Sequence, residues 1–162
     1  MTVLHAVDTA DLVDDGAEPP SGLDVLRAIQ AGDLPRPGVS LLLGMQMDEV
    51  ELGRVSFSMA PRTDMANPMG TMHGGIVATL LDTVMGCAVH SSLDGGVGYT
   101  TLDLDVRYVR SAPLTGDPIR AYGNVVHVGG RTATAEGRVI DADGRLLAHA
   151  TTTCMLFRPG AT

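Results

Sequence analysis

Residues Ile76 to Val89 read IVATLLDTVMGCAV. Apolar side chains fall on every face of this stretch instead of forming one stripe, so it predicts a helix that the rest of the chain must enclose. Behind it, Tyr99 to Val109 (YTTLDLDVRYV) alternates. Leu102, Leu104, Val106 and Tyr108 are expected on one face and Thr101, Asp103, Asp105 and Arg107 on the other, as in a strand with one polar side.

Working outward, three further strands are expected over Pro118 to Val128, Arg131 to Asp141 and Arg145 to Phe157, the last two joined through Asp143-Gly144. That dipeptide suits a tight hairpin turn. Before the helix, the apolar segments Leu41 to Val50 and Arg54 to Met59 flank Gly53 and predict a hairpin. Ser21 is placed to cap a short helix through about Ala31, with Gly32 as its stop. Residues 1–20, acidic and ending in Pro19-Pro20, read as a mobile leader, and 21–162 as one domain whose first helix spans about 21–32. Hairpin, apolar helix and antiparallel meander make an α+β layout, a curved sheet wrapped around a central helix.

Composition narrows the function. With 162 residues and 44% hydrophobic content, the chain has room for a single core. A formal charge of -8 disfavours nucleic acid as a partner, because such binding rests on clustered cations. All eleven cations are Arg, so a phosphate site would be small and built from bidentate forks. Coenzyme A fits that description. No stretch has membrane-spanning length and the acidic N-terminus lacks the features of a signal peptide, which makes the cytoplasm the expected compartment. Cys87 and Cys154 lie in apolar stretches and read as unpaired.

The chemistry-bearing segment is Asn67-Pro68-Met69-Gly70-Thr71-Met72-His73-Gly74-Gly75, which leads directly into the helix. Backbone N–H groups at a helix start, reinforced by the helix dipole, attract negative charge. A thioester carbonyl under attack becomes an oxyanion, and preorganised donors stabilise it. The paired glycines are expected to let a substrate approach the backbone. Asp82, in the middle of the apolar helix, is the best-placed acid, as general base for water or as nucleophile. It lies seven residues beyond Gly75, roughly 10 Å along a helix, too far to serve a carbonyl held at Gly74 of its own chain. A two-fold dimer with antiparallel helices would bring the two halves together.

Asn67, the His73-Gly74-Gly75 triplet and Asp82, with their spacing, resemble the signature of PaaI-type acyl-CoA thioesterases of the hotdog superfamily, over about Ser21 to Phe157. The resemblance implies a hotdog homodimer, commonly a dimer of dimers, that hydrolyses acyl-CoA or aryl-CoA thioesters without metal or cofactor. By the same resemblance, Gly74 donates its N–H to the thioester oxygen, with Gly75 beside it. His73 and Asn67 position the loop and the water or substrate, and Asp82 is the acid. Thr101, or Thr100 if the register shifts by one, orients the water. Arg107, Arg110, Gly130 and Arg131 match places where the family holds the pantetheine and phosphates of CoA.

Two other functions share these features: a non-catalytic acyl-CoA binder or sensor, and a hotdog hydratase or dehydratase acting on enoyl thioesters. A charge set within the apolar helix disfavours the first, and the His-Gly-Gly start followed by Asp disfavours the second. His90, His127 and His149 have no companions at metal-ligand spacing and read as structural. Methionines flanking the His73 loop are candidates to line an acyl pocket.

Overall fold

The computed structural model describes residues 18–159. The expectation of a mobile leader falls largely outside that range; within it, Pro19 abuts Gly95 and Gly96. Helix α1 (Gly22–Ala31) begins at Ser21, whose hydroxyl oxygen accepts the Asp24 N–H, and ends at Gly32 with φ 89°. Both caps are those the sequence suggested.

The segment expected as the first strand of the hairpin divides in two. Pro37 precedes a short helix α2 (Gly38–Leu43), and Gly44, with φ 69°, turns the chain into β1 (Met45–Glu51). An unbroken run of leucines has neither helical nor alternating period, so nothing in its pattern marks that division. Strand β2 (Arg54–Met59) pairs antiparallel with β1.

The long helix α3 (Gly74–His90) crosses the sheet and leads to β3 (Gly98–Tyr108), β4 (Ile119–Val128), β5 (Thr132–Ile140) and β6 (Leu146–Phe157). Six antiparallel strands run in the order β1-β2-β4-β5-β6-β3. This is the expected hotdog arrangement with one correction to the meander. Strand β3 pairs with β6, not with β4, because α3 delivers the chain to the far edge and the ten residues 109–118 carry it back. A connection of that length, with two prolines and a glycine, is no hairpin turn.

Leu80, Leu81, Val84, Met85 and Ala88 of α3 are fully buried against Ile119, Ala121, Ala133, Val139 and Leu147 of the sheet. The enclosure is incomplete. Thr79, Asp82, Thr83 and Cys87 form a half-exposed stripe along α3, so the helix is not surrounded within one chain. No helix among the described residues is long and apolar enough to cross a membrane.

Close approach of α3 to the sheet depends on two glycines. A Cβ at Gly123 of β4 would collide with the carbonyl of Val84, and one at Gly137 of β5 would lie 2.8 Å from Cγ of Met85. Strand glycines of this kind mark places where another backbone comes close. Gly123→Ala must push the helix backbone away, and overpacking of that kind costs about 1–3 kcal/mol. Urea denaturation should show the loss as a lower midpoint with an unchanged slope.

Candidate active site

Helix α3 starts in a loop that its own side chains close. Asn67 Oδ1 accepts N–H bonds from Met69 (2.9 Å) and Thr71 (3.2 Å), while its Nδ2 donates to Thr71 Oγ1 at 2.9 Å. The Asn67 backbone N–H also donates to the Thr71 carbonyl at 2.8 Å. Asn67 therefore acts on the loop, and through it on the helix start. His73 N–H donates to Met65 O at 2.8 Å and Met72 N–H to Ala112 O at 3.2 Å, which fastens the loop to its neighbours.

His73 is the N-cap of α3. Its Nδ1 accepts the Gly75 N–H at 2.9 Å, so Nδ1 is unprotonated and Nε2 is left as the donor, facing solvent. The Ile76 N–H donates to His73 O at 2.9 Å. Among the described residues nothing accepts the Gly74 N–H. One donor at the positive end of the helix is thus left for a ligand.

The two glycines do not open the backbone in the expected way. The space a Cβ would take at Gly74 is occupied by the Tyr108 ring (Cζ at 3.1 Å), and at Gly75 by the His73 imidazole (Nδ1 at 3.0 Å). They make room for side chains of their own chain. Tyr108 Oη donates to Gly74 O at 2.9 Å. No local pattern marks this contact, since strand alternation alone puts Tyr108 among packing residues.

Asp82 was expected to be buried; it lies instead on the half-exposed stripe of α3. Thr101 Oγ1 donates to Asp82 Oδ1 at 2.8 Å, whereas Thr100 is exposed on the other side of β3. One residue of irregularity permits this. Between Thr101 and Asp103, β3 advances two residues while β6 advances one, so Leu102 forms a β-bulge. Asp103 fixes it: Thr152 Oγ1 donates to Asp103 O at 2.7 Å, and Asp103 Oδ1 accepts the Thr153 N–H at 3.2 Å. The bulge exchanges the faces of Thr101 and Leu102, while the predicted alternation holds from Asp103 to Tyr108. Leu102 is 52% exposed, while Tyr99, Thr101, Leu104, Val106 and Tyr108 all turn toward α3.

Neighbouring groups are chemically quiet. Burial, with a smaller contribution from the charge of Asp82, pushes the Cys87 thiol up to about 12, so it stays protonated at neutral pH. Cys87 and Cys154 are both free. Burial also pushes the Tyr99 hydroxyl well above its ordinary value and lowers that of His90.

The expected CoA contacts separate. Arg110 lines a cleft of about 360 Å³ with Gly74, Asn67, Met72 and Val77, and donates to Leu146 O at 3.0 Å. Arg107 is paired with Asp105 on the surface. Gly130 and Arg131 lie in the β4–β5 turn, at the end of the sheet where Gly98 meets Phe157, away from the Tyr108 end that holds Gly74. Met72 reaches the cleft, whereas Met69 is exposed at the loop tip.

Comparison with known proteins places the chain among thioesterases. Residues 69–148 match the model of the thioesterase superfamily. A Halobacterium salinarum protein provisionally named an esterase is 36% identical over 108 residues, 64% of this chain and 70% of that one. Human acyl-coenzyme A thioesterase 13 is 31% identical over 98 residues, covering 60% of this chain and 69% of the human protein. The fold superimposes on the Escherichia coli PaaI protein from the phenylacetic acid degradation operon with a TM-score of 0.74, over 85% of this chain and 96% of that chain at 19% identity.

The capping role of His73 separates from any chemical role by substitution. His73→Ala removes the acceptor of the Gly75 N–H and is expected to lower stability by about 1 kcal/mol. His73→Asn supplies a good cap without an imidazole and should recover most of that loss in thermal or urea unfolding.

Proposed function

The chain belongs to the thioesterase superfamily, and from that premise we propose that it hydrolyses acyl-CoA or aryl-CoA thioesters to free acid and CoA, at two equivalent sites shared across a homodimer. The observation that carries this reading is the distance between two prepared groups. The unclaimed Gly74 N–H and the Asp82 carboxylate held by Thr101 are eight residues apart on one straight helix, about 12 Å. Neither serves the other's carbonyl within one chain.

A second copy supplies the missing half. Strand β3 has one neighbour, β6, so its outer edge offers unpaired backbone groups to another strand. The half-exposed stripe of α3 that carries Asp82 lies under that edge. A two-fold axis there pairs β3 with β3 antiparallel, sets the two α3 helices side by side in opposite directions, and brings the partner's Asp82 toward Gly74.

In the proposed reaction the thioester oxygen accepts the Gly74 N–H, where the helix dipole favours the growing negative charge. The partner's Asp82 takes a proton from a water that the partner's Thr101 helps orient. That water adds to the carbonyl carbon, and the tetrahedral oxyanion then collapses. The C–S bond breaks, its electron pair leaves with CoA sulfur, and the proton returns to the thiolate. The chain's own groups and water account for each step. Arg110, in the cleft beside Gly74, is the best placed of the arginines to meet a CoA phosphate.

Asp82→Asn is expected to lower kcat by about 10²–10⁴-fold with acyl-CoA binding retained. Gly74→Pro deletes the proposed donor at the first helical position, where no helical hydrogen bond is lost and the exposed Tyr108 ring must give way by a few tenths of an ångström, and should also be nearly inactive. Co-refolding the two inactive variants in equal amounts yields heterodimers with one intact site each, so about one quarter of wild-type activity returns. No recovery on mixing rules out the shared site. A wild-type protein that releases no free thiol from any acyl-CoA in a broad panel rules out hydrolysis itself, and uptake of water by an enoyl-CoA in that panel points to a hydratase.

A further inference from the structure

We infer that Tyr108 is a positioning residue that aims the Gly74 N–H, an inference that rests on the reading of Gly74 as the oxyanion donor. Two peptide units meet at Gly74, and their orientations set where its N–H points. Glycine has no Cβ to restrict them. The restriction comes from outside. The His73–Gly74 unit is held through its carbonyl by the Ile76 N–H at 2.9 Å. The Gly74–Gly75 unit is held at both ends, by Tyr108 Oη on the Gly74 carbonyl (2.9 Å) and by His73 Nδ1 on the Gly75 N–H (2.9 Å).

Tyr108 also fills the space of the absent side chain, with Cζ, Oη and Cε1 lying 3.1, 3.2 and 3.3 Å from where a Gly74 Cβ would be. The ring thereby limits Gly74 as a side chain would, while the hydroxyl fastens the peptide that follows. Tyr108 is 55% exposed in the single chain, so burial within its own chain does not account for its placement. The only hydrogen bond its side chain makes among the described residues is the one to Gly74, a contact that reaches from the last residue of β3 to the first residue of α3. Helix carbonyls ordinarily find their partner within the helix, so this second donor is not needed to satisfy Gly74.

A donor misdirected by a fraction of an ångström stabilises the transition state less while leaving ground-state binding nearly intact. Tyr108→Phe, which keeps the ring and loses the hydroxyl, is therefore expected to lower kcat about 10- to 100-fold with KM changed less than about two-fold. Tyr108→Leu, which loses the ring as well, should lower kcat further. A purely structural role would move the unfolding midpoint and leave kcat per folded dimer unchanged. Amide NMR supplies a readout independent of turnover: in both variants the Gly74 and Gly75 N–H signals should show new exchange broadening on the millisecond timescale, while those of Leu80 to Val84 stay sharp. Wild-type kcat together with unchanged Gly74 and Gly75 signals in Tyr108→Phe overturns the inference. Altered signals in the variants, with a wild-type protein that hydrolyses no acyl-CoA, preserve the contact and overturn the thioesterase reading instead.

Discussion

Everything in this fold follows from the need to cover one apolar helix. Leu80, Leu81, Val84 and Met85 of α3 are removed from water, each worth about 1.5–3 kcal/mol of transfer free energy. The sheet can reach around them only because Gly123 and Gly137 let it lie against the helix backbone. A sheet curved that tightly encloses part of a cylinder and stops. What it leaves uncovered is a stripe of α3 and one long edge, and both of these bear on the chemistry.

In the proposed reaction, rigidity of α3 makes two half-sites from one motif. A hydrogen-bonded helix holds its first N–H groups and its ninth residue at a fixed separation, so Gly74 and Asp82 cannot close on a common substrate atom. Each is prepared separately. The loop from Asn67 to Thr71, the His73 cap and the Tyr108 hydroxyl fix the first, and the Thr101 hydroxyl fixes the second. Preparing both before a ligand arrives is what electrostatic catalysis asks of a protein.

Much of this was legible in the sequence because the signals were local. The apolar helix, the Ser21 and Gly32 caps, and the distance from Gly74 to Asp82 depend on residues near one another in the chain. What escaped depends on residues far apart. The pairing of β3 with β6 arises from the path of α3 across the sheet, and no residue type announces it. The split of Leu41 to Val50 into α2 and β1 turns on the left-handed backbone of Gly44 within a run of leucines that suits either structure. Gly74 and Gly75 looked like openings for a substrate, when the side chains that need their space come from Tyr108, 34 residues later, and from His73 next door. Gly130 and Arg131 lie at the end of the sheet away from Gly74 of the same chain, a separation that strand pairing sets and no local motif records.

The β-bulge at Leu102 has a consequence of its own. Strand β3 is read in two frames, one before the bulge and one after it, and each frame delivers one hydroxyl to α3: Thr101 to Asp82, Tyr108 to Gly74. A regular strand would present residues 101 and 108 on opposite faces, since they are an odd number apart. The extra residue corrects the parity. Leu102 itself points outward, so its chemical identity is loosely constrained, whereas its presence is not. Position 102 matters as a length: substitutions there are cheap and a deletion is not, because a chain shorter by one residue would withdraw one hydroxyl or the other from the helix.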